Sequence, residues 1–167
     1  NLFSMGAQLS KLDVRGSSSI TDKSIDHILK FKSLKYLNIR QTRINVNGLT
    51  KLMEGKKKLS RTSYWNMFTK PSSELKVFKS IFLEQHIILL PDCFPNLICV
   101  EIHLVKRVKL TVLKELKNLK MLTVFCQSTY SYSFQSLFGE LLNDIGKQLL
   151  ELTLENVGNV SLKHIAE

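Results

Sequence analysis

Cysteine is scarce and odd in number: Cys93, Cys99 and Cys126 are the whole set. A small disulfide-stapled domain needs more of them, and in pairs, so the set fits a reducing compartment. The expected location is intracellular, in the cytoplasm or the nucleus. The gap from Cys93 to Cys99 is too wide for a zinc knuckle, and no second pair follows it. Glycine is also sparse, with seven residues and no cluster, which removes a phosphate-cradling loop. H-E-x-x-H and G-x-S-x-G are absent, and His27, His86, His103 and His164 are scattered. No enzyme and no cofactor is expected. No apolar run approaches the roughly 18 residues of a membrane span. The nearest, FLEQHIILLPDCFPNLICV, is interrupted by Glu84, Gln85, His86, Pro91 and Asp92.

Acidic residues are few: 14 against 24 lysines and arginines, a net charge of +10. The imbalance is a gradient. Residues 1–61 carry 13 basic and 4 acidic side chains, and residues 121–167 carry 2 and 5. A partner acidic toward the N-terminal end is the functional reading, and a solvated lysine surface is the plain one. The start at Asn1 and the stop inside a helix-like SLKHIAE suggest a piece of a longer chain.

What the sequence does have is apolar residues, 44% of the total, and they recur. Leu9-x-x-Leu12-x-Val14 returns as Leu34-x-x-Leu37-x-Ile39, every position 25 residues on. Ile20, Ile25 and Ile28 answer to Ile44, Leu49 and Leu52 with an offset of 24. Further copies begin at Leu97, Leu119 and Leu149. Adding 25 to Leu34 gives Leu59-x-x-Thr62-x-Tyr64, a degraded copy, and about 60–95 reads as an irregular repeat or an insertion. Such a period is the mark of a stacked architecture. The x-L-x-L core reads as a short strand with alternate side chains inward.

A helix then returns beside each strand. TDKSIDHILK has Thr21 or Asp22 as cap, and NVNGLTKLME has Asn47. KLTVLKELKNL spaces Leu110, Leu113 and Leu116 on one face. SFQSLFGELLNDIGKQL is expected to be the longest helix, with Phe134, Leu137, Leu141 and Ile145 inward. One unit cannot bury its own apolar face, so stacked units share a core. The fold class is α/β: one solenoid domain over 1–167 with a parallel sheet and right-handed crossovers.

With these repeats the chain resembles leucine-rich repeat proteins. LSKLDVRGSSSITDKSIDHILKFKSLKYLNI is similar to the cysteine-containing repeat type, with Ile20-Thr21-Asp22 where that type has I-T-D. The turn at Gly16–Ser19 lacks the cysteine of that type. The resemblance implies a curved horseshoe with strands on the concave face and helices on the convex face. It also implies a protein-interaction module that selects substrates for an F-box-like cullin ubiquitin ligase, or else a cytosolic scaffold. A ligase adaptor is implied only if an F-box lies upstream of Asn1, and the F-box is not in these residues. No membrane partner is expected.

On the concave face the register projects Lys11, Asp13 and Arg15; Tyr36, Asn38 and Arg40; Cys99, Glu101 and His103. Met121, Thr123 and Phe125 follow, then Glu151, Thr153 and Glu155. Arg61, Ser63 and Trp65 belong to the degraded copy. The candidate partner-binding residues are Arg15, Tyr36, Asn38, Arg40, Trp65, Glu101, His103, Phe125, Glu151 and Glu155. Arginine and large aromatics are favoured interface anchors, because they join contact area to directed polar groups. GKKKLSR at 55–61 and VKRVK at 105–109 are basic clusters expected on loops or edges. There they form no groove, so nucleic acid is the weaker reading.

Overall fold

The computed structural model describes residues 8–61, 74–82, 84–104, 110–126 and 134–155. Among them one six-stranded sheet forms, with every neighbouring pair parallel and the strands in sequence order. The strands are β1 (Lys11–Asp13), β2 (Tyr36–Asn38), β3 (Val77–Ile81), β4 (Cys99–Leu104), β5 (Met121–Cys126) and β6 (Glu151–Glu155). Helical segments alternate with them. A 3-10 turn, Asp22–Ser24, runs into α1 (Ile25–Leu29). Then come α2 (Val46–Arg61), α3 (Glu84–Cys93), the 3-10 helix Thr111–Glu115, and α4 (Phe134–Ile145) with a closing 3-10 turn, Gly146–Gln148. Each helical segment packs on the next one in the chain, so the structure is a sheet layer beside a helix layer. No helix among the described residues is long and apolar enough to cross a membrane.

The core lies between the layers and follows the register. Leu12, Leu37, Phe78, Val100, Leu122 and Leu152 stand opposite one another across the strands. The middle four are essentially inaccessible to water. Helical residues meet them: Ile25 and Ile28 from α1, Leu49, Leu52 and Met53 from α2, Ile87 and Leu90 from α3. Phe78 packs edge-on against Phe82 and Phe94, with ring centroids 5.1 and 5.2 Å away. Leu110, Leu113 and Leu116 are all buried. Their three-residue spacing matches the three residues per turn of a 3-10 helix, which is what forms there.

The strand starts share one device. The carbonyl of Ser10 accepts the N–H groups of both Lys35 and Tyr36. Those of Lys35, Lys76, Ile98 and Lys120 do the same for the next strand along. Turns repeat as well. Gly16 (φ 77°) and, 25 residues on, Gln41 (φ 54°) both adopt the left-handed conformation. Glycine takes that shape freely, and glutamine does so at a cost. The Asp22 carboxylate accepts the Asn45 N–H at 2.8 Å and so ties the first turn to the second. A Cβ on Gly48 would stand 2.2 Å from that carboxylate oxygen, so a larger residue there would displace the Asp22 side chain.

Four expectations need correction. The strand between β2 and β4 is Val77–Ile81, not a copy starting at Leu59, which lies inside α2. Its repeat is Leu75-x-x-Phe78-x-Ser80, with phenylalanine and serine in place of aliphatics. Trp65 and Ser63 lie outside the described residues, as does VKRVK, while residues 55–61 are helical rather than a loop. The cap of α2 is Asn45, not Asn47, because Asn45 Oδ1 accepts the N–H groups of Asn47 (2.7 Å) and Gly48 (3.3 Å). At 16 residues α2 also exceeds the 12 of α4.

Candidate interaction face

Alternation in a strand sends every second side chain away from the helices. On that outward face the sheet register places three rows. One runs Lys11, Tyr36, Val77, Cys99, Met121, Glu151. The next runs Asp13, Asn38, Lys79, Glu101, Thr123, Thr153. The last has Ile81, His103, Phe125 and Glu155 in register. Arg40, two residues past Asn38, extends that last row on the β2 side, and Arg15 extends it again past β1. The five expected triplets therefore share one face. Lys79 and Ile81 fill the slot expected for Arg61 to Trp65, and Ile81 is 51% exposed.

From Asp13 to Glu101 the middle row is linked by polar contacts. Asp13 Oδ2 accepts from the Tyr36 hydroxyl and from Asn38 Nδ2, both at 3.2 Å. Asp13 Oδ1 accepts the Arg15 backbone N–H at 3.1 Å. That backbone bond, helped by Asn38 and Tyr36, holds the Asp13 carboxyl below the usual carboxylate range. The Lys11 ammonium sits 4.8 Å from the Tyr36 ring centre. Asn38 Oδ1 accepts from the Arg40 backbone N–H and from its Nε, each at 3.3 Å.

Arg40 then reaches across β3 to Glu101, donating from Nη1 to Oε1. Lys79 Nζ lies 3.3 Å from Glu101 Oε2, and His103 Nε2 lies 3.1 Å from Oε1. Burial works to raise the Glu101 pKa, but the His103 bond, the Arg40 charge and Lys79 outweigh it and lower it. The His103 ring stacks on Phe125, 4.3 Å between centroids and 19° between planes. One carboxylate thus fixes two cations and an imidazole, and through the imidazole an aromatic ring.

Burial sorts the expected residues. Asn38 and Glu101 are 2% and 4% exposed. They position Arg40 and His103 and expose almost no surface of their own. Arg15, Glu151 and Glu155 are exposed, and Tyr36, Arg40, His103 and Phe125 are partly so. Cys99 is buried and its thiol pKa is raised by that burial, so it is a poor nucleophile. Lys79 and Ile81 escaped the sequence reading. The signal that could have found them is Leu75-x-x-Phe78, which stands 22 residues before Leu97-x-x-Val100, the same spacing that leads on to Leu119.

In chemical terms the face offers fixed cations toward β1–β3, an aliphatic and aromatic centre, and carboxylates on β6. No family model matches the chain, and no curated protein matches it.

Proposed function

We propose that the chain is a leucine-rich repeat solenoid that binds a protein through this outward face, as the substrate-recognition part of an intracellular F-box-like cullin ubiquitin-ligase receptor. The observation that carries the binding reading is the Arg40–Ile81–His103–Phe125 row, locked from beneath by buried Glu101. A preorganised arginine–aromatic row loses little side-chain freedom on docking, which is where affinity is otherwise lost. The sequential parallel sheet and the 25-residue offset support the repeat reading. The ligase role rests on the Ile20-Thr21-Asp22 resemblance and requires an F-box, which is not in these residues.

The test uses the full-length product of the transcript. Phe125→Ala with Ile81→Asp should remove a bound protein recovered with the wild type, by about ten-fold or more, as loss of a central anchor does. Lys23→Glu on the helical side should leave that protein in place. Recovery unchanged by the first pair overturns the face. A cullin complex recovered with both forms supports the ligase role. A chain that keeps its partner but has no F-box and no cullin is a scaffold.

A further inference from the structure

The sheet has a second surface, at the end where the strands begin. Three of the residues that share their carbonyls there are lysines: Lys35 before β2, Lys76 before β3 and Lys120 before β5. The ladder sets them in one row along the sheet edge. With strands about 4.8 Å apart, the row spans roughly 14 Å. Their side chains line an open groove of about 630 Å³, which they share with Glu74, Ile98 and two carboxamides, Asn96 and Asn118. None of the three ammonium groups has an ion-pair partner among the described residues. Asn96 and Asn118 stand at equivalent places in successive repeats, each two residues before the residue that shares its carbonyl.

We infer that this groove binds an extended acidic peptide segment, lying across the strand starts with its carboxylates on Lys35, Lys76 and Lys120. An extended chain advances about 3.3 Å per residue, so the row matches four or five residues carrying two or three carboxylates. The Asn118 carboxamide carries both donors and an acceptor, which suits a peptide backbone. Among the described residues the groove is lined by no aromatic ring and no arginine, the groups that stack bases in single-strand nucleic-acid sites. Glu74 stands two residues before Lys76 and opposes any anion at that point of the groove, a peptide carboxylate included. This surface is separate from the outward face, and the inference does not depend on the proposed function.

The experiment is fluorescence anisotropy of labelled octaglutamate on the full chain at about 50 mM salt, where charge contacts are weakly screened. Lys35→Glu/Lys76→Glu/Lys120→Glu should weaken binding at least about ten-fold, and Lys23→Glu/Lys30→Glu/Lys147→Glu, an equal change of net charge elsewhere, less than about three-fold. Should the groove triple fail to fold, the single changes decide: Lys76→Gln weakens binding and Glu74→Gln strengthens it. No binding of octaglutamate overturns the inference. So does an equal loss from both triples, or tighter binding of octauridylate, which would make the groove a phosphodiester site.

Discussion

Glu101 is the residue on which the outward face turns. It is nearly water-free, yet charged, and its partners are Arg40 just past β2, Lys79 on β3 and His103 on its own strand β4. Glu101→Gln leaves two cations without a counter-charge and should cost about 2–3 kcal/mol in urea unfolding at neutral pH. A cost under about 1 kcal/mol would mean that the cluster does not hold the face together. The same geometry qualifies Arg40→Glu as a probe of binding, because it places a second carboxylate against Glu101. Arg15 is the cleaner charge to reverse.

A different residue sets the first response to acid. His86 is 1% exposed, with Nε2 3.0 Å from the Thr50 hydroxyl oxygen. Burial lowers its pKa below the ordinary 6.5, against a smaller opposing effect from the Val46 backbone. The unfolded chain therefore binds this proton first. Stability is fully present above pH 6.5 and falls as the pH drops toward the lower folded value. The lowered pKa of Glu101 adds a second loss that begins below 4.5. Unfolding midpoints between pH 8 and 3 should fall in two stages, and His86→Gln should flatten the upper one while leaving the lower. A single fall below 4.5 in the wild type would remove His86 from the account.

At the scale of the element, the turn after β2 carries strain that the turn after β1 avoids. Gln41 takes the left-handed shape that Gly16 takes 25 positions earlier. Gln41→Gly should stabilise the fold by about 0.5–1 kcal/mol, the left-handed relief less the entropy of a freer unfolded chain. A loss measured by thermal unfolding would show that the glutamine side chain contributes more than its backbone costs. Those turns were legible because their repeats are regular. An aliphatic residue at each inward strand position names the register, and five of the six strands follow from it. β3 was not legible, because Phe78 replaces the leucine and Ser80 the aliphatic, and the period stretches. From Leu34 to Leu75 is 41 residues. The irregular region at about 60–95 also hid α3, where Pro91 lies inside the helix and looks in sequence like a break. The outward residues were legible as a list and not as a network. Alternation says which way Glu101 points, and only the neighbouring strands say that Arg40 and Lys79 close over it.

On the scale of the whole molecule, sequential order has a consequence for stability. Each strand pairs with the strand before and after it in the chain, and each helical segment packs on its sequence neighbours. Interior strands gain two such interfaces, while β1 and β6 each pair with a single described strand. Burial follows: Leu37, Phe78, Val100 and Leu122 are closed off, while Leu12, Leu152 and Leu154 stay half-buried. Where elements pack on their neighbours in the chain, opening costs the interfaces broken, so it starts at an end. Amide hydrogen exchange should therefore show strongest protection in β3, β4 and β5, with a fall of about ten-fold or more toward β1 and β6. Equal protection in all six strands would mean that the sheet opens only as one unit. The outward row of Arg40, Ile81, His103 and Phe125 spans β2 to β5, so three of its four residues stand on the strands expected to open last. A partner that docks there meets the most persistent part of the sheet, and its binding should raise protection at the ends less than at the centre.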